Sequence, residues 1–232
     1  MIDFDCGRYH DISDYIALIA ILRGEDGCPW DMAQTHESIR QNCLEEAYEV
    51  CEAIDEGSPE HLKEELGDLL MQVIFHAGIE KDAGNFDFND ICDASCRKLI
   101  NRHPHVFGDR EANRGAEAAE AWEKAKRAEH GQISTAEAIA GVAKTLPGLW
   151  RAQKMLRKAA KDGKAPKTDF MEVCREFSQA AEKSPEDREE AFGRLMFAAL
   201  NEANELGIDG EPALQKYCDC FAAEVRRAEE DK

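Results

Sequence analysis

The chain has 232 residues and a formal net charge of −19, from 29 Lys and Arg against 48 Asp and Glu. A surface this acidic excludes the usual way of gripping a nucleic-acid polymer, which needs a basic stripe along the phosphates. Hydrophobic residues make up 43%, enough to bury one large or two small cores, but no run of 18 apolar residues exists to span a membrane.

The first six residues, Met1 to Cys6, lack the basic-then-apolar order of a secretory signal, so a cytoplasmic location is expected. From Ile12 the apolar residues Tyr15, Ile16, Ile19 and Leu22 recur with helical period, which predicts a helix over 11–23. Residues 24–31 read as a loop. A second helix runs from about 35 to 56 and stops at Gly57. Ser58 and Pro59 then open a third, as N-cap and first-turn residue. Its apolar stripe is Leu66, Leu69, Leu70, Val73, Ile74 and Ala77. Gly84 and Asn85 close it, and a fourth helix covers 87–101 until Pro104 intervenes. Residues 111–130 are helical and contain Trp122. A shorter segment follows, with a break at Pro147 and Gly148, and three or four helices fill 147–229. No window alternates as a strand does, so the expected fold is all-α.

Nine cysteines occur at positions 6, 28, 43, 51, 92, 96, 174, 218 and 220, an odd number without a single Cys-x-x-Cys. That pattern is neither a disulfide framework nor a zinc site. Cys51 falls on an apolar helical stripe and reads as a small core side chain.

The chemistry is carried by two pairs of acids, Glu46 with Glu49 and Glu65 with Asp68. Each pair is spaced i, i+3 and so shares a helix face. Two such helices side by side gather four carboxylates around one point, a setting for a hard cation such as Mg²⁺. Three of the four have apolar residues one turn on (Val50, Ala53 and Leu69), where a solvated face would offer Lys or Arg. The acids therefore border the buried stripe. Carboxylates about 5 Å apart repel by roughly 3 kcal/mol at an effective dielectric near 20, a cost tolerated when a cation or a proton is held.

A repeat sharpens this reading. Shifted by 126 positions, residues 42–74 lie over 168–200 without a gap, with eight identities including Ser58/Ser184, Pro59/Pro185 and Gly67/Gly193. The apolar phase also matches, as two copies of one hairpin require. The acids do not: Glu46 meets Glu172, but Glu49 meets Arg175, Glu65 meets Ala191 and Asp68 meets Arg194. The second copy keeps the scaffold and loses the cluster.

The run Glu45-Glu46-Ala47-Tyr48-Glu49, fifteen residues, then Glu65-Leu66-Gly67-Asp68, resembles the signature of the MazG nucleoside triphosphate pyrophosphohydrolases. The flanking residues 27–31, 86–91, 102–107 and 122–126 resemble the same family, and the likeness extends over nearly the whole chain. The resemblance implies tandem MazG-like helical-bundle domains, with a catalytic domain over 1–130, a linker over 131–146 and a degenerate repeat over 147–232. It implies hydrolysis of a nucleoside triphosphate to the monophosphate and pyrophosphate with Mg²⁺, held by Glu46, Glu49, Glu65 and Asp68. Glu45 and Glu49 are the implied catalytic carboxylates. Lys98 and Arg102, joined by Lys126, are implied for phosphate, and Trp122 for the base. Relatives assemble, so at least a homodimer is expected. A narrower pyrophosphohydrolase acting on dCTP, dUTP or phosphoribosyl-ATP, and a non-catalytic helical regulatory protein, are the alternatives.

Overall fold

Most helices begin where a short polar side chain takes up the free N–H groups of the first turn. The computed structural model describes residues 4, 7, 9–108, 115–129, 131 and 134–230. Asp11 starts α1 (Ile12–Arg23) with a reciprocal capping box to Asp14. After the short α2 (Pro29–Met32), Thr35 caps α3 (His36–Glu56). Ser58 caps α4 (Pro59–Asp82) and Asp87 caps α5 (Phe88–Arg102). Then come α6 (Pro104–Phe107), α7 (Gly115–Glu129) and α8 (Thr135–Ala140), the last capped by Ser134. Pro147 precedes α9 (Gly148–Lys161), Asp169 caps α10 (Phe170–Gln179), and a 3₁₀ turn covers Ala180–Glu182. Ser184 caps α11 (Pro185–Glu205), and α12 (Gly210–Glu230) follows. Among the described residues there is no strand, and the fold is all-α. No described helix is long and apolar enough to cross a membrane. The expected helix over 111–130 is seen from Gly115 to Glu129; its remaining positions lie outside the described residues.

The chain divides into two compact units, Met1–Ala118 and Ala119–Lys232, with the division inside α7. In the first unit, α3 and α4 pair as a hairpin. The reversal needs Gly57, whose φ of 67° is left-handed and open to glycine at little steric cost. Helix α1 lies on α4, and Ile19, Ile39, Ile74 and Phe75 form the buried core with Tyr15, Ile16, Leu70 and Met71 around it. Arg23 pins α1 to α4. Its side chain is nearly buried, lies over the Phe75 ring at 5.3 Å, and donates to Asp82 at 2.9 Å.

The structure corrects the apolar stripe in three places. Leu66 (49% exposed) and Val73 are on the surface, and Phe75, outside the expected stripe, is in the core. Cys51 is also exposed rather than a core side chain. Among the described residues α4 packs against α1, α3 and α5, and the part of the hairpin's apolar surface that carries Leu66, Val73 and Cys51 stays exposed. All eight described cysteines are free.

The second unit repeats the hairpin as α10 and α11, with α9 against α11. Leu156, Ala159, Val173, Ala198 and Leu200 are buried there. Gln153, buried among them, donates from Nε2 to the Ile208 carbonyl at 2.6 Å and accepts from the Gly210 N–H at 2.9 Å. One amide side chain thus ties α9 to the turn between α11 and α12. At the other end of α9, Asp162 accepts from Arg127 at 2.8 Å and from the Thr135 hydroxyl at 2.6 Å.

Candidate metal centre

Glu46 and Glu49 stand one turn apart on α3, and Glu65 stands on the second turn of α4, seven residues after its Ser58 cap. The tight turn at Gly57 sets the two helices so that these faces meet. One oxygen from each of Glu46, Glu49 and Glu65 lies within 4.8 Å of the others. Glu65 is buried (9% exposed), and the other two are half-buried. Such a group offers oxygen donors only, the ligand type of a hard cation rather than of a soft metal.

Asp68 sits one turn beyond Glu65 and is not part of that three-way group. Its charge nevertheless acts on it. Burial raises the Glu46 pKa first, and the negative charges of Asp68, Glu49 and Glu65 raise it further, Asp68 most of the three. Asp68 thus neighbours Glu46 without joining the three oxygens that converge. A hydrogen bond with Glu49 also favours the protonated form of Glu46.

Three supporting contacts are not visible in the spacing of the acids. The Tyr15 hydroxyl donates to the Gly67 carbonyl at 3.2 Å, tying α1 to the backbone beside Asp68. Its pKa is raised, first by burial and then by Asp68. His61 faces Glu56 through Nδ1 at 2.7 Å and Glu65 through Nε2 at 3.1 Å. The hydrogen bond to Glu56 is the largest influence raising the His61 pKa. Tyr15 was hidden because it belongs to an apolar stripe. The His61–Glu65 contact had a legible signal, the i, i+4 spacing on one helix.

The other expected site residues are spread more widely. Glu45 is exposed beside Glu46 on α3, and Lys98 is exposed on α5. Arg102, at the end of α5, is buried (6% exposed). Trp122 and Lys126 are half-buried on α7 and belong to the second unit. The convergent carboxylates come from α3 and α4 alone.

In the second hairpin the corresponding positions form no acidic group. Ala191 replaces Glu65, and Arg194, in the place of Asp68, pairs with Glu176 at 3.0 Å. Arg175 and Glu172 are exposed.

Residues 34–107, which include both acid pairs, match the model of the MazG nucleotide pyrophosphohydrolase domain. The nucleoside triphosphate pyrophosphohydrolase of Escherichia coli (strain K12) is 41% identical over 214 residues, covering 88% of this chain and 81% of that protein. The chain belongs to the MazG family. A second MazG relative, the nucleoside triphosphate pyrophosphohydrolase/pyrophosphatase MazG of Thermotoga maritima, is 36% identical over 221 residues, 94% of this chain and 85% of its own length. The nucleoside triphosphate pyrophosphohydrolase of Mycobacterium tuberculosis is 40% identical over 161 residues, 68% of this chain and 48% of its own length. Membership places this MazG chain among hydrolases that act on acid anhydrides.

Proposed function

We propose that this protein hydrolyses nucleoside triphosphates to the monophosphate and pyrophosphate in an Mg²⁺-dependent reaction, with the N-terminal hairpin as its active site. The observation that carries the reading is the convergence of Glu46, Glu49 and Glu65 from two helices, with Glu65 buried. Family membership supports the reaction class.

Glu46, Glu49, Glu65 and Asp68 would hold the cation, whose contribution is to polarise a phosphoryl oxygen and to acidify the attacking water. Glu49 is the base for that water in this reading, and Glu45, exposed on the adjoining face, is the alternative acceptor. In this reading Lys98 and Arg102, in the same unit as the acids, balance the charge of the phosphates. The catalytic part comprises residues 1–130, followed by a linker over 131–146. Residues 147–232 are a copy without metal, a reading supported by Arg175, Ala191 and Arg194 at the ligand positions. Exposed Leu44, Tyr48 and Leu66 on the hairpin, and Tyr217 and Phe221 on α12, support a homodimer. A cytoplasmic location accompanies this reading.

Pyrophosphate release is measured over a panel of ribo- and deoxynucleoside triphosphates with and without Mg²⁺, on the native protein and on Asp68→Ala. Mg²⁺-dependent release by the native protein alone is expected. Equal inactivity of both proteins on every nucleotide would overturn the proposal and favour a regulatory protein on the same scaffold. Turnover confined to dCTP, dUTP or phosphoribosyl-ATP would narrow the substrate class.

A further inference from the structure

His61 belongs to none of the residues that the acid motif names, yet its ring is placed between two carboxylates with different surroundings. On one side is Glu65, whose side chain is only 11% exposed and one of whose oxygens enters the acidic group. On the other is Glu56, half in solvent on the last turn of α3. Both ring nitrogens are in reach of an oxygen, at 3.1 Å and 2.7 Å. A ring that donates from both nitrogens is fixed in plane and in tilt, which a single contact does not achieve.

We propose that His61 is a positioning residue for the cation site: braced by Glu56 across the α3–α4 turn, its imidazole holds the Glu65 carboxylate turned toward Glu46 and Glu49. This rests on the metal-dependent reading above and deepens it. A glutamate has three side-chain torsions to fix before it can serve as a ligand, and it also leans away from like charge. A donor to one lone pair of the carboxylate offsets both effects and leaves others for the ion, the usual service of a hydrogen-bonded partner behind a metal-binding carboxylate. A ring carrying a second proton would oppose a nearby cation, and the binding comparison below reads the balance between that repulsion and the contact with Glu65.

The second hairpin gives an internal comparison. Its Ser184-Pro185-Glu186 start matches Ser58-Pro59-Glu60, and both helices begin with an extended Ser cap and a Pro in the first turn. Where Glu65 has become Ala191, the counterpart of His61 is Asp187, which accepts from its own cap, the Ser184 hydroxyl, at 2.9 Å. The imidazole and the acid that it faces are lost together, while the capping serine and proline remain. A histidine serving only the helix start would have no reason to follow Glu65.

The test is direct binding of Mn²⁺ alone to the full chain, followed by electron paramagnetic resonance, without nucleotide. Native protein, His61→Ala, His61→Gln and Glu56→Ala are compared, each checked for an unchanged circular dichroism spectrum. His61→Ala is expected to bind about 10- to 100-fold more weakly. His61→Gln, which keeps a donor near Glu65, recovers most of that loss, and Glu56→Ala shifts affinity in the same direction by less. Affinity in His61→Ala within about twofold of native, or tighter, would overturn the inference, because the ring would then be idle or a competitor for Glu65. Failure of the native protein itself to bind Mn²⁺ is a different outcome and removes the metal-dependent reading on which the inference rests.

Discussion

The Nδ1 atoms of His36 and His76 lie 2.6 Å apart, in rings whose planes differ by only 15°. At that distance one hydrogen fits between them and two do not. Glu80 accepts from His36 Nε2 at 2.6 Å and from the Asn85 amide at 2.7 Å. The first residue of α3 is thus bound to the last turns of α4 by a chain of side chains that fully protonated rings would break. Burial lowers the His76 pKa, and the neighbouring His36 lowers it further. A base whose folded pKa is depressed takes its proton more readily when unfolded. Stability is then unaffected above the ordinary value of 6.5 and declines as the pH falls below it, toward the folded value. Denaturant melts between about pH 7.5 and pH 5 should show native protein losing more stability than His76→Phe, whose residue 76 binds no proton in either state. Parallel losses in the two proteins would show that this pair does not govern the decline.

The two hairpins should answer differently to matched substitutions. Glu65→Gln and Asp68→Asn each remove a negative charge from the proposed cation site and should cut turnover by roughly a hundredfold or more, the equivalent of several kcal/mol in the transition state. Arg194→Ala, at the position matching Asp68, breaks an exposed pair with Glu176. It should leave turnover unchanged and shift stability by less than about 1 kcal/mol. Steady-state kinetics and melting curves on the three variants check this.

Gln153→Leu fills nearly the same space but leaves the Ile208 carbonyl and the Gly210 N–H without their partner. Unpaired polar groups of this kind cost about 1–3 kcal/mol, so the variant should unfold at lower denaturant concentration. The slope of the transition should stay the same, because the area exposed on unfolding does not change.

The hydrogen bond from Arg127, with help from Thr135, draws the Asp162 pKa down from 3.8 to about 2. A carboxylate with a depressed folded pKa stabilises the native state above its unfolded value and loses that contribution as the pH falls through the folded one. Asp162→Asn should therefore melt below native protein at neutral pH, and the gap should close between pH 3.8 and about 2. A gap that persists at the acid end would mean that the loss comes from packing rather than charge.

Much of the local fold can be read from the residues themselves. Ser58 and Pro59 announce α4, Gly57 announces the reversal, and Ile74 and Ala77 lie inside as their spacing requires. Leu66, Val73 and Cys51 were legible as helical but not as exposed, because periodicity gives a face and not what covers it. The acid pairs were legible because each lies within one turn of one helix. The brace from Glu56 crosses a turn, Tyr15 reaches Gly67 from 52 residues away, and His36 meets His76 across 40. Contacts of that kind depend on how two helices are phased against each other, which no short window of sequence records.

The Ser58 cap fixes where α4 begins, and Glu65 follows seven residues later, close to two full turns. A single residue added between them would swing both Glu65 and Asp68 about 100° around the helix axis. Leu70, Ile74 and Phe75 follow on the same helix and would swing with them, so the cap and the packed face could not both keep their places. The count of residues in this stretch thus holds the cap, the packed face and the acids in one phase, and length, not only composition, is under constraint there.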